Sequence, residues 1–357
     1  MPVGCDESRI HHTLPALSLH RLPLRCDDAP ALRPHQMHSY RVFGGVLRSE
    51  LPFPELPAVS SQDADWTLDI RHELPALGDA MRLGEEPLID GVTARLVRDA
   101  ERYRLSFEDT GTFEVALDGT ALTWYPAAGA SEELARLDVI GRVLALAEHA
   151  AGGHCLHASS VVVDGRAIAF IAPKGYGKST TAMSLLRQGA RLLTDDTLPV
   201  HVGDAVMAHP GVHGVRLRED TAERFAADHV IAPTLNADKK LLSAFENDRV
   251  AHEPVPLDAV YLLSPVRSDG VDSLVTRNRL SPLESALVLV AHGKLATLLG
   301  RDEGSRTLTR ASRIARDVPV YTLQIARDLG RVDDVARTIV GWHTVGEPSL
   351  AIAGSAG

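Results

Sequence analysis

The chain has 357 residues, 45% of them hydrophobic and 24% charged, a globular composition with enough length for about two domains. Its formal net charge is −10, from 47 acidic and 37 basic residues, which argues against a nucleic-acid partner, since such binders favour a basic excess. Cys5, Cys26 and Cys155 are scattered and odd in number, and no apolar run or signal-like start stands out, so neither a disulfide framework nor a membrane partner is expected, and the cytoplasm is the expected compartment.

Residues 1–36 mix His, Pro, Leu and Arg without a period and are expected to form a disordered tail; Met37, just before the first patterned segment, is a second candidate start. Residues 37–130 carry short alternating runs such as Tyr103–Phe107, separated by Gly and Asp-Gly turns, which predict a smaller β-rich domain. Within it, FEVALDGTALTWY predicts a hairpin turning at Asp118-Gly119. Ser131 then caps a helix with Glu132 and Glu133 in its first turn, and apolar residues at helical spacing run from Leu134 to Ala147.

This helix opens a second, α/β domain spanning 131–345, followed by a flexible end at 346–357. His157–Val163 and Arg166–Ile171 flank Asp164-Gly165, a strong hairpin signal. A loop follows, then a helix from about Ser179 to Gln188 and a short strand ending at Asp195-Asp196. Further on, DAVYLLSP and VPVYTLQIA predict strands, Ser281-Pro282-Leu283-Glu284 a capping box, and Val332–His343 a last helix.

The loop, APKGYGKST, departs from the G-x-x-x-x-G-K-[ST] phosphate-loop pattern only at Ala172. Such a loop binds phosphate because successive backbone N–H groups point inward at a helix N-terminus. Lys174, Gly175, Tyr176, Gly177, Lys178, Ser179 and Thr180 are the candidate nucleotide-binding residues, with Lys178 reaching the β/γ-phosphates and Ser179 holding Mg²⁺. Lysine is scarce, at Lys174, Lys178, Lys239, Lys240 and Lys294 alone, so each position carries information. Ala172 is tolerable where that position does not need a positive φ.

Asp195 and Asp196 end the strand after the loop's helix. In a βαβ unit the C-terminal ends of adjacent parallel strands lie side by side, which would bring both carboxylates to the loop's crevice. Phosphoryl transfer needs a metal-side carboxylate and a base, and two aspartates can divide those roles. Read alone, His157 is a packed or hydrogen-bonded strand histidine, and the spacing of His154, Cys155 and His157 lacks the second ligand pair of a zinc site.

The segments LHASSVVVDG, GYGKST and RLLTDD resemble, in order and spacing, the C-terminal catalytic domain of HPr kinase/phosphorylase and the wider group of HPr-kinase-like serine kinases. The resemblance is densest over 155–200 and looser up to about 343. It implies a P-loop kinase domain of the HPr kinase/phosphoenolpyruvate carboxykinase type, ATP and Mg²⁺, and phosphate transfer to a serine hydroxyl. It further implies Asp195 as proton acceptor, Asp196 as metal ligand and His157 as a site residue. The N-terminal YRVFGGVLRSELPFPELP is similar to HPr-kinase-like proteins found beside ribosomally made peptides, including lasso peptides. The glycine-rich signature that the bifunctional enzyme uses for phosphate removal is missing after the Asp pair, and Glu219 or Asp220 is the nearest counterpart of its third metal-side carboxylate.

The expected function is therefore an ATP-dependent serine kinase acting on a peptide, a small protein or a small molecule. The alternative is a nucleotide-binding sensor with little phosphotransfer. Lys239, Lys240 and, more weakly, Arg216 and Arg218 are candidate contacts to phosphate or substrate. GTP in place of ATP, the identity of the acceptor and a homo-oligomeric state are open at this point.

Overall fold

The computed structural model describes residues 36–344 except 89–90, 226–229, 234–238, 244, 246, 267–274 and 327. All but the last residue of the expected tail, and the whole of the expected flexible end, lie outside the described residues.

The first half of the described chain forms an eight-stranded sheet. Its strands are β1 (His38–Val42), β2 (Gly45–Ser49), β3 (Trp66–Ile70), β4 (Met81–Pro87), β5 (Thr93–Arg98), β6 (Arg102–Phe107), β7 (Gly111–Ala116) and β8 (Ala121–Pro126). They lie in the order β1-β2-β3-β8-β7-β6-β5-β4. The pair β7–β8 is antiparallel, with Gly119 at φ 81° in the connection, as the hairpin reading required. Alternate strand residues such as Leu68, Leu96, Leu105, Phe113 and Leu122 are buried, each side chain contributing about 1.5–3 kcal/mol by leaving water.

The helical segment after the sheet packs on this core through Ala135, Val139, Val143 and Leu144. It runs as α1 (Glu132–Asp138), a π-turn (Val139–Val143) and α2 (Leu144–Ala150). Ser131 caps it by accepting from the Leu134 amide at 3.4 Å.

The second half builds a nine-stranded sheet. Its first members are β9 (His154–Leu156), β10 (Ala158–Val163) and β11 (Arg166–Ile171), followed by α3 (Lys178–Arg187), β12 (Arg191–Asp195), β13 (Leu198–Val202) and β14 (Val206–Ala208). A small three-stranded sheet intervenes, of β15 (Val215–Arg218), β16 (Val230–Pro233) and β17 (Lys239–Ser243), with α4 (Glu219–Phe225) beside it. The large sheet resumes with β18 (Val255–Val266), β19 (Val275–Arg279) and β20 (Val320–Ala326), and its helices are α5 (Pro282–Ala291), α6 (Arg301–Asp317) and α7 (Val332–Gly341).

The β10–β11 turn has Asp164 at φ 47° and Gly165 at φ 76°, the two positive values that a two-residue hairpin with a right-handed twist needs. Strand β11 is apolar on both sides because both of its faces are covered. Ile168 and Phe170 pack with α3 and α7, whereas Ala167, Ala169 and Ile171 pack with α5 and α6. Strands β11, β18 and β20 run parallel. The capping box at Ser281 forms as read, with reciprocal bonds to Glu284 and Pro282 opening the helix. The whole is a mixed α/β protein with several sheets. Among the described residues no helix is long and apolar enough to cross a membrane.

Candidate active site

Strand β11 delivers the chain into the loop Ala172–Gly177, and α3 begins at Lys178. Gly175 has φ 86° and Gly177 φ 94°, conformations that a Cβ would strain. Ala172 is outside the positive-φ region and its methyl is buried in the core under α3. The position therefore makes no demand that only glycine meets. Lys178 Nζ donates to the Ala172 carbonyl at 2.8 Å, lying back across its own loop, and Tyr176 is exposed at the loop's tip.

Strand β12 does not lie beside β11, as the simple βαβ reading expected. The hairpin strand β10 sits between them, antiparallel to both. Two reversals restore the direction, so the C-terminal ends of β11 and β12 and the N-terminal end of β10 still meet at one end of the sheet. This convergence brings the loop, the Asp pair, His157 and Ser159 together.

Asp195 is buried, and the hydrogen-bond donors around it among the described residues are neutral. The Ser159 hydroxyl bonds its Oδ1, the Ser179 hydroxyl donates to the same oxygen at 2.8 Å, and the Arg216 amide donates to Oδ2 at 3.2 Å. Arg216 thus contributes its backbone.

Asp196 differs in every respect. Its backbone has φ 102°, rare for a non-glycine residue and frequent at functional sites. Its side chain is 32% exposed, and its partners include an ammonium and an imidazole. Lys294 Nζ, itself 8% exposed, lies 2.5 Å from Oδ2. His157 Nδ1 lies 3.2 Å from Oδ1 and 3.1 Å from the Asp196 carbonyl. Facing two acceptors, that nitrogen carries the proton. Burial works to raise the Asp196 carboxyl, but Lys294 and then His157 outweigh it and hold it well below the usual carboxylate range. His292 stands close by, and burial, with the Lys178 and His157 charges, pushes its imidazole down.

Three site residues escaped the sequence reading. Ser159 lay unremarked in HASSV. His292 and Lys294 come from the segment after α5, more than a hundred residues beyond the loop. Lys294 carried a usable signal, since it is one of five lysines. Lys239 and Lys240 were read in a polar loop but open strand β17, where Lys240 is paired with Leu217 in register and its ammonium lies 3.2 Å from Glu219. Lys174 and Thr180 are on the loop and the first turn of α3 as expected, with Lys174 exposed.

Among the described residues no group of three or more His, Cys, Asp or Glu side chains is placed to hold a metal ion. Mg²⁺ does not need one. It prefers one or two carboxylates completed by phosphate and water, and the Ser179 hydroxyl beside the Asp195 carboxylate fits that donor set.

No family model matches the chain, and no curated protein matches it in sequence. Among solved structures, the Hpr(Ser) kinase/phosphatase from Coxiella burnetii is similar at 12% sequence identity and a TM-score of 0.28, over 53% of this chain and 95% of that one. A likeness that slight carries no argument, and the functional reading rests on the residues.

Proposed function

We propose that the protein is an ATP-dependent kinase that transfers the γ-phosphate to a serine hydroxyl of a peptide, a small protein or a small molecule. The observation that carries this is the hydrogen bond from Ser179, in the first turn of α3, to Asp195 at the end of β12. A hydroxyl and a carboxylate in that relation, following a glycine-bearing loop and a lysine, are the parts that phosphate-loop enzymes use to hold a nucleotide with its cation. When bound, Mg²⁺ would offset charge on the β- and γ-phosphates, held on the protein side by Ser179 and Asp195.

The bonding favours a division of the Asp pair opposite to the one the family resemblance implied. The hydrogen bonds to Asp195 come from two hydroxyls and an amide, which leaves room for a cation beside its carboxylate. Asp196 is reachable from solvent and stands beside His157, which suits it to orient the acceptor hydroxyl and receive its proton late, as a loose transition state allows. Lys178, released from the Ala172 carbonyl, would move to the transferring phosphate.

Purified protein incubated with ATP, Mg²⁺ and serine-containing peptides, followed by mass spectrometry, tests this reading. Phosphoserine is the expected product, and Asp196→Asn should lose transfer while still binding ATP. ATP binding with no phosphorylated acceptor in any case would favour the sensor alternative.

A further inference from the structure

The two carboxylates have different counter-charges, and the difference assigns Lys294 a role. Around Asp195 the bonded donors are two hydroxyls and one amide. Around Asp196 they are an ammonium at 2.5 Å, an imidazole and the Thr197 hydroxyl at 3.3 Å. Arg142 of the π-turn, itself held by Glu86 at 3.0 and 3.1 Å, adds a weaker positive field. One carboxylate is left to be neutralised from outside, and the other is already matched. Resting on the kinase reading above, we propose that Lys294 is a built-in cation of the site: it occupies the place a second divalent ion would take at Asp196, so the loaded site holds a single divalent ion on Ser179 and Asp195.

The fold supports this because Lys294 is held, not dangling. Its amide donates to the Cys155 carbonyl at 2.8 Å, and the His157 amide donates to the His292 carbonyl at 2.8 Å. Leu156 and Gly293 bridge between those bonds. The backbone that carries Lys294 is thereby zipped to the backbone that carries His157, and their side chains reach the same carboxylate from two sides. The far end of the segment is fixed as well. A Cβ on Gly300 would stand 2.3 Å from the Leu83 carbonyl, and one on Gly84 would stand 2.6 Å from the Leu298 carbonyl. Strand β4 and the segment after Lys294 are pressed backbone to backbone, so both glycines are required by close approach. An ammonium so anchored keeps its position with little loss of freedom when substrate arrives. A second divalent ion within a few ångströms of it would meet strong like-charge repulsion in a site of reduced dielectric.

The inference is tested by counting Mn²⁺ bound per chain, by the electron paramagnetic resonance signal of free Mn²⁺, in the presence of the β,γ-imido analogue of ATP. The wild type should hold one ion, where protein kinases hold two. Lys294→Met should gain a second ion and lose turnover by roughly tenfold or more with little change in the KM for ATP, and Lys294→Arg should restore the single ion and most of the turnover. Two ions in the wild type overturn the proposal whatever the variants do, and full turnover in Lys294→Met overturns it equally. Failure of the wild type to bind the analogue at all would instead remove the kinase reading, and this proposal with it.

Discussion

The Ser179 hydroxyl and Asp195 Oδ1 stand 2.8 Å apart, tying the first turn of α3 to the end of β12 across the intervening strand β10. The bond exists because two reversals of the chain bring a helix start and a strand end to one edge. If it marks the cation side of the site, Ser179→Ala should lower kcat/KM by roughly a hundredfold, in the range found when one transition-state contact is lost. Nucleotide affinity measured calorimetrically without Mg²⁺ should change little. An equal loss of affinity with and without Mg²⁺ would place Ser179 on the phosphates alone.

The loop separates what glycine must do from what it need not. Gly177 sits at φ 94°, so Gly177→Ala forces a left-handed alanine at about 1–2 kcal/mol and should weaken ATP binding measurably. Ala172→Gly removes a buried methyl outside the positive-φ region, so stability should fall by about 1–2 kcal/mol while turnover stays close to wild type. Thermal melts and ATP titrations of both variants check the contrast.

Asp138 gives the fold a pH signature. Burial raises its carboxyl from the ordinary 3.8 to about 6, while the Thr110 hydroxyl, donating at 2.7 Å, opposes the rise. The unfolded chain releases this proton first as pH increases, so stability from this group is lost between about pH 4 and pH 6 and stays lost above. Asp138→Asn keeps an acceptor for Thr110 and removes the charge. It should raise stability by up to about 3 kcal/mol at pH 7 and by little at pH 4, as denaturant melts at the two pH values would show.

Much of this architecture was legible because it is local. The Asp164-Gly165 turn, the Ser281 capping box and the helix start, read at about Ser179 and found at Lys178, are each specified by a few adjacent residues with one physical reason. What was not legible is non-local. Nothing in RLLTDD states that β10 would lie between β12 and β11, since that depends on which strand wins an edge. Helix α6 went unread because its apolar positions, Ala311, Ile314 and Ala315 among them, are sparse among arginines and hydroxyl residues. The scarcity of lysine, weighed at Lys239 and Lys240, applied with equal force to Lys294. Only the pairing of residues 155–157 with 292–294 shows which of these lysines reaches the Asp pair.

The central claim is phosphoryl transfer to serine, and its most direct test is transfer of label from γ-³²P-ATP in the presence of Mg²⁺ to a library of serine-containing peptides, with Lys178→Ala as control. Label should appear on a serine, depend on wild-type Lys178 and be lost in Asp196→Asn. Label that persists undiminished in both variants, or ATP that binds and is never passed to any acceptor, would contradict it.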